Sequence, residues 1–395
     1  MKQFLSACLF ASIVVITSLF SCGAEPSLKN EEKIELVDTD SIDKLLLAIH
    51  AKEKSYRIDT LMKNRVKQNG FNGCILVAQQ GQVIYKKAFG YKDLKAKDSL
   101  HLTSAFQLAS VSKTLTAAAV LLLKDRGKLK LGDQLETFFP GFPYKGISIH
   151  HLLSHRSGLG NYLYFGESYC DSKHCYKGKV MDNAAVLDML MNEKPAAYAP
   201  AGKKFEYCNT NYVLLALVIE KVSGQTFPEF MEENIFRPLE MNNTWVQSAG
   251  NSLKGKDVTK GHTAGGKTET DTYGDEVLGD KAIFSTVEDL FKWDRALYSD
   301  KLLKEKTIEE AFSGYSNEHK GIRNYGYGWR LTENSKDDKT IYHNGWWHGY
   351  SSLFYRRPAD QITVIILSNK YSKSVYRIDG VLSILGDKFP SISSE

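Results

Sequence analysis

Three short motifs carry residue types suited to acyl-transfer chemistry, and they fall in one order along the chain: Ser110-Val-Ser-Lys113, Tyr207-Cys-Asn209 and His343-Asn-Gly345. A serine hydroxyl is a weak nucleophile until a neighbouring base takes its proton. Residues three apart on a helix lie on adjacent turns of one face, so the Lys113 amine can reach the Ser110 hydroxyl. A free lysine, with a pKa of about 10.4, is protonated at neutral pH, so such a site needs burial and positive neighbours around the amine. Tyr207 supplies a phenol that can relay a proton between Ser110 and a leaving group, and the Asn209 amide can hold Lys113 or a substrate carbonyl. At the third motif, Gly345 lets a substrate backbone approach a strand closely. The N–H of Trp346 can then join that of Ser110 as the two donors of an oxyanion hole.

No motif is distinctive alone. The chain also holds Ser41-Ile-Asp-Lys44, Tyr315-Ser-Asn317, Tyr342-His-Asn344 and His319-Lys-Gly321. Taken singly, Ser110 and Lys113 are a solvated pair at a helix start, Tyr207 is one of 21 tyrosines, Asn209 is a helix cap, His343 a surface imidazole and Gly345 a bulge. Context separates the trio from these matches. Ser110 stands at the mouth of an Ala- and Leu-rich segment, residues 111–124, closed by Gly127, whereas Ser41 lies in a charged stretch.

The elements that must position the motifs follow from periodicity and punctuation. Amphipathic helix is expected at 42–51, helix at 56–68 and a hairpin at 73–91. Residues from about 101 to 275 read as a mainly helical lobe holding the first two motifs. Within it, a loop ending near residue 206 enters an amphipathic helix, and the polar loop 255–279 borders the cleft. Strands return at 326–331, 340–343, 351–356 and 362–368, with a turn at 357–361 and a last helix at 375–385. The expected fold class is therefore α+β: an antiparallel sheet of sequence-distant strands, flanked by helices, plus a helical lobe. The cleft between lobe and sheet is where Ser110, Tyr207 and His343 can converge.

The ordered motifs resemble the serine β-lactamase and penicillin-binding-protein superfamily, and within it the class C β-lactamase, D-alanyl-D-alanine carboxypeptidase and esterase branch. Residues 71–85, 147–159, 283–294 and 325–329 are similar to further segments of that family, and the resemblance spans about residues 55–390. It implies a β-lactamase/transpeptidase-like fold, Ser110 as the acylated nucleophile, Lys113 and Tyr207 as base and proton relay, and Asn209, His343, Gly345 and Trp346 as substrate-binding residues. It implies no cofactor. His343 occupies the place of the family's lysine, and the chain contains no Lys-Thr-Gly or Lys-Ser-Gly. A histidine with an ordinary pKa of about 6.5 is largely neutral at pH 7 and draws a substrate carboxylate less well, which favours esterase or peptidase over strong penicillinase activity. Cys208 replaces the usual Ser or Ala, and Trp346 and Trp347 replace small residues. The indoles either narrow the acyl pocket, stack on a substrate ring or pack into the core. The expected function is a serine hydrolase working through an acyl-enzyme on small amides, peptides or esters, of D-Ala-peptidase, β-lactamase-like or esterase type. The alternative is a penicillin-binding sensor or cell-wall binding module that acylates without turnover.

Lys2 precedes an apolar run, residues 4–20, that ends in Leu19-Phe-Ser-Cys22. This resembles a bacterial lipoprotein signal, and the run is short for a membrane span. The implied organisation is a signal peptide at 1–21, a lipid on Cys22, a tether at 22–54 and a hydrolase domain at 55–395. It places the protein in the cell envelope, periplasm or outer membrane, held to the membrane through the lipid. Cys74 reads as a buried mid-strand thiol, and Cys170 and Cys175 flank a polar loop where an exported protein can form a small disulfide. His174, with His150, His151 and His155, lacks matched ligand spacing, so no metal site is expected. A net charge of +5 with 25% charged residues and no basic block argues against a nucleic-acid partner. The expected partner is a small-molecule or peptide substrate, and the expected state is a monomer.

Overall fold

The computed structural model describes residues 39–172, 181–248, 253, 255–270, 272–318, 323–333 and 339–386. Seven strands form one antiparallel sheet: β1 (Gly73–Gln79), β2 (Gln82–Phe89), β3 (Arg323–Tyr325), β4 (Arg330–Glu333), β5 (Lys339–Trp347), β6 (Tyr350–Arg357) and β7 (Ile362–Ser368). Their spatial order is β2-β1-β7-β6-β5-β4-β3, so the first and last strands in sequence are neighbours, with Gly73 opposite Ser368. The sheet joins sequence-distant strands, as expected for the α+β class.

The two-residue period of a strand divides the sheet between two cores. Along β1, Cys74, Leu76 and Ala78 enter one apolar cluster, whereas Ile75 and Val77 enter another. Along β7, Ile365 and Leu367 join the first, and Ile362, Val364 and Ile366 the second. Strands buried on both faces read as continuous apolar runs, which is how the sequence of β7 presents itself.

The helices of the described residues include α1 (Thr39–Ala48), α2 (Ala51–Asn69), α3 (Ser112–Asp125), α4 (Ile149–Leu153), α5 (Tyr162–Ser172), α6 (Asn209–Ser223), α7 (Val287–Ala296) and α8 (Asp379–Leu385). Ile58 and Met62 of α2 and Val381, Leu382 and Leu385 of α8 cover one face of the sheet. On the other face lie α3, α6 and the rest of the helical lobe. Every residue of α3 from Ser112 to Leu123 is buried, so this helix is the axle of the lobe.

Several expected boundaries move. Residues from Thr39 onward are already helical, and α2 begins at Ala51, inside the segment expected as tether. The strand expected at 326–331 is found only at its end, Arg330 and Leu331 belonging to β4, while residues 326–329 form a reversal between β3 and β4. Its cause is Gly328, at φ +81, where a Cβ would lie 2.8 Å from the Lys113 carbonyl; the alternating Tyr-Gly-Tyr-Gly-Trp pattern only imitates a strand. The final helix splits into a 3₁₀ turn at Lys373–Tyr376 and α8. Strand β5 runs longer than expected and holds the whole third motif. The segments 1–21 and 22–38, with Cys22, lie outside the described residues, as does Cys175; the side chain of Cys170 is likewise outside. No helix among the described residues is long and apolar enough to cross a membrane.

Candidate active site

Ser110 does not lie inside α3 but on the 3₁₀ turn Ala109–Val111 that leads into it. Ala109 is held at φ +48, a left-handed conformation that costs a non-glycine residue about 1–3 kcal/mol. Surrounding contacts fix the turn. The buried Ser352 hydroxyl of β6 donates to the Leu108 carbonyl at 2.6 Å, and Leu108 N–H donates to Ile283 O at 2.8 Å. From the sheet side, a Cβ on Gly345 would stand 2.5 Å from Leu108 O and 2.9 Å from Ser110 N. Only glycine lets β5 press its backbone against the nucleophile turn, which brings the first and third motifs together.

The Lys113 side chain is fully buried, and its Nζ lies 3.1 Å from Ser110 Oγ and 2.7 Å from the backbone oxygen of Asp280. It forms no ion pair with any of the described residues. Its other neighbours are aromatic: Nζ is 5.3 Å from the Tyr207 ring centre and 5.6 Å from that of Tyr212. The amine therefore donates to a fixed carbonyl while its remaining valence faces the serine.

Tyr207 and Asn209 sit where a loop enters α6, with Asn209 the first helical residue and both half-buried. Asn209 is not the partner of Lys113; Asp280 O is. The Tyr207 ring packs at a tilt of 42° against the fully buried His155, centroids 4.3 Å apart, and lies 6.3 Å from His343. His155 follows α4 at φ +55, and its Nδ1 accepts from Cys208 N–H at 3.2 Å, which pins the backbone of the second motif. Cys208 itself is buried, with its thiol pushed up to about 11 by desolvation, so it is no rival nucleophile. Cys74 is the buried mid-strand thiol expected.

His343 is fully buried, not a surface imidazole. Its Nδ1 lies 2.8 Å from Asn344 O, which can only accept, so the proton is on Nδ1 and Nε2 faces the Tyr325 hydroxyl at 3.1 Å. Burial above all, then the nearby Arg330 and Lys113 charges, hold His343 well below its ordinary pKa. It is a neutral link between the third motif and Tyr325. Trp346 is 58% exposed and meets Tyr371 edge-on at 5.8 Å, so it does not pack into the core. Trp347 is half-buried, its indole N–H donating to Asp275.

Motif reasoning did not single out three groups that the fold brings to the site. Asp280 and Lys281 lie just before the Ile283–Ser285 strand, and their segment provides the acceptor for Lys113. Arg330 of β4 places its guanidinium 5.2 Å from the Tyr207 ring centre. His155 lay in a segment noted for resemblance without a role. The signal available for Asp280 and Lys281 was two adjacent opposite charges inside an apolar run, Leu278-Gly-Asp-Lys-Ala-Ile-Phe. An open cavity of about 430 Å³ starts beside Tyr325 and Asn344 and is lined by Arg330, Arg323, Lys204 and Glu206.

A family model described as Beta-lactamase matches residues 58–384. Penicillin-binding protein 4* of Bacillus subtilis (strain 168) is 35% identical over 336 residues, covering 82% of this chain and 73% of that protein. The putative penicillin-binding protein PbpX of the same organism is 25% identical over 370 residues, covering 91% and 88%. Among solved structures, the octameric penicillin-binding protein homologue from Pyrococcus abyssi superposes with a TM-score of 0.71 at 26% identity, covering 83% of this chain and 76% of that one. With this family comes serine-dependent hydrolysis through an acyl-enzyme as the general chemistry. The chain belongs to the beta-lactamase family, in the superfamily of serine β-lactamases and penicillin-binding proteins.

Proposed function

We propose that Ser110 is the acylated nucleophile, that Lys113 takes its proton, and that the substrates are small peptides ending in a carboxylate, of the D-Ala type. The observation that carries this is the 3.1 Å approach of a buried, carboxylate-free lysine amine to Ser110 Oγ. In the reaction, the Ser110 O–H bond breaks and its proton passes to Lys113 as Oγ bonds to the substrate carbonyl carbon. The oxyanion is held by the N–H groups of Ser110 and Trp346, an assignment supported by the contact of Gly345 with Ser110 N. The proton reaches the leaving amine through Tyr207, and water then cleaves the acyl ester. Asn209 binds the acyl side of the substrate, and the exposed Trp346 offers it a flat apolar surface.

A neutral His343 cannot attract the terminal carboxylate, so we assign that task to the cations bordering the cavity, Arg330 foremost. The penicillin-binding names of the relatives support this substrate class. Carboxylic esters are the second reading, favoured by the same neutral His343 where a lysine is usual. Release of D-Ala from an acyl-D-Ala-D-Ala peptide, compared with hydrolysis of a neutral nitrophenyl ester, separates the two. Peptide turnover that falls at least tenfold in Arg330→Gln while ester turnover holds supports the first. Ester turnover alone, indifferent to Arg330, supports the second, and a penicillin adduct without turnover makes the protein a sensor.

We also propose that the chain is an exported lipoprotein, cut before Cys22 and anchored by it, acting as a monomer in the cell envelope. The apolar run and its terminal cysteine support this. An envelope-derived N-terminal peptide carrying a diacylglyceryl group on Cys22 is the expected result; an intact Met1 terminus contradicts it.

A further inference from the structure

Beside Lys113 lies a buried charged pair to which the reaction above gives no role. Asp280 and Lys281 are adjacent in sequence, and each side chain is 3% exposed. Lys281 Nζ stands 3.5 Å from Asp280 Oδ1 and also donates to the Tyr162 hydroxyl, which in turn donates to Asp280 Oδ2 at 3.0 Å. The segment that carries them is bolted down on every side. Thr116 of α3 donates to Gly279 O at 2.8 Å, and Asn183 accepts from Leu278 N–H at 2.7 Å. Tyr162 N–H is held by Thr210 of α6 at 2.8 Å, one residue beyond the second motif. Gly279 is so tightly packed that a Cβ would stand 2.3 Å from Tyr212 O.

Burying a charged pair costs more in desolvation than a well-packed apolar pair of the same size, so stability alone gives little reason for one here. Position gives another reason. The carbonyl that receives the Lys113 amine belongs to the residue whose carboxylate Lys281 neutralises.

Resting on the assignment of Lys113 as base, we propose that Lys281 is a positioning residue: it keeps the Asp280 carboxylate occupied, so that Asp280 offers Lys113 a carbonyl without also offering it a counter-ion. A free carboxylate there would pair with Lys113 and hold it as the ammonium, which cannot take the serine proton. Other groups facing Lys113 do not replace this function. His155 and His343 are both held well below the ordinary histidine pKa, chiefly by burial, and stay neutral. Tyr212 and Tyr325 are buried phenols held well above theirs. Cys208 is a protonated thiol, and Tyr207 faces Lys113 with its ring. Arg330 is a further cation on the Tyr207 side, and Asp275 is engaged by the Trp347 indole. Burial lowers the Lys281 ammonium from its usual pKa, and the Asp280 carboxylate opposes that shift.

The test compares Asp280→Asn, Lys281→Met and the double variant in the full chain, reading the pH dependence of Ser110 acylation by an activated ester and, separately, the 15Nζ titration of Lys113. Lys281→Met should move the acidic limb of the acylation rate to higher pH by on the order of one unit. Asp280→Asn should move it the opposite way, and the double variant should return near the wild type. Shifts of opposite sign are not produced by loosened packing. Limbs that coincide with the wild type, or move in one direction for both single changes, overturn the proposal. If one single variant does not fold, the other and the neutral double variant still give the sign. If wild-type Ser110 proves unreactive, the acyl-enzyme assignment fails, while the Lys113 titration still reports whether Lys281 screens Asp280.

Discussion

The two faces of the central sheet are built to different rules. Against α2 and α8 the sheet buries Ile75, Val77, Leu353, Val364 and Ile366 under Ile58, Met62 and Val381, an almost wholly apolar layer. Against the lobe it buries Lys113, His155, His343, Asn211, Asp280 and Lys281, with a left-handed Ala109 and a glycine in β5 that must stay bare. Interiors close-packed with aliphatic side chains gain stability from every buried methylene, whereas buried polar groups only break even when fully hydrogen-bonded. One face is apolar throughout and contributes stability; the lobe face has a large apolar core of its own but sets within it the polar groups that serve the geometry of the site.

If this division holds, changes on the lobe face should cut activity far more than stability. Ser110→Ala should remove the covalent adduct and lower turnover by about 10⁵-fold or more, with the unfolding midpoint nearly unchanged. Lys113→Met, which keeps the length but removes the amine that donates to Asp280 O, should cost about 10³-fold in acylation and only about 1–3 kcal/mol in stability. For Tyr207→Phe the expected loss is about 10²-fold in acylation, checked by burst kinetics. An unfolding midpoint that drops as steeply as the rate in any of these would erase the distinction between the faces.

On the opposite face, Ile366→Ala should cost about 2–5 kcal/mol in denaturant unfolding while kcat per folded molecule stays within twofold. A smaller effect sharpens the same contrast. His155 and His343 are buried neutral on the lobe face, with folded pKa values below the ordinary one near 6.5. Below that value the unfolded chain binds protons that the native state refuses, so stability falls as pH drops under 6.5, by up to about 1.4 kcal/mol per unit for each histidine. His343→Gln should flatten that slope by one histidine's share. A slope unchanged in this variant would mean that His343 titrates normally in the fold.

Much of the site was legible because its chemistry is local in sequence. Ser110 and Lys113 are three residues apart, the Tyr207 motif abuts a helix start, and His343 to Trp346 share a strand. The order of these motifs identified the family before any geometry, and strong apolar runs such as β7 gave strands close to their true limits. What stayed hidden depends on long-range contact. Asp280 lies 167 positions from the lysine it receives, and although two opposite charges inside the apolar run Leu278-Gly-Asp-Lys-Ala-Ile-Phe stand out, nothing local says which side chain they meet. His343 was expected to bind substrate in the place of the family's lysine, and its full burial, with Nε2 facing the Tyr325 hydroxyl, could not be read from the sequence. The early start of the strand at 326 arose because alternation of aromatic residues with glycine has a strand's period but the backbone freedom of a turn. Position 346 shows the reverse case: three fates were open to its indole, and the fold leaves it exposed beside the nucleophile turn.

The most direct test of the account is intact-mass spectrometry of the purified chain and its Ser110→Ala variant after incubation with an activated ester, a fluorophosphonate and a penicillin. A single adduct on the wild type, absent from Ser110→Ala and lost with time for the probe closest to the natural substrate, is the result predicted. An adduct that persists in Ser110→Ala, or none with any probe, would contradict Ser110 as the acylated residue.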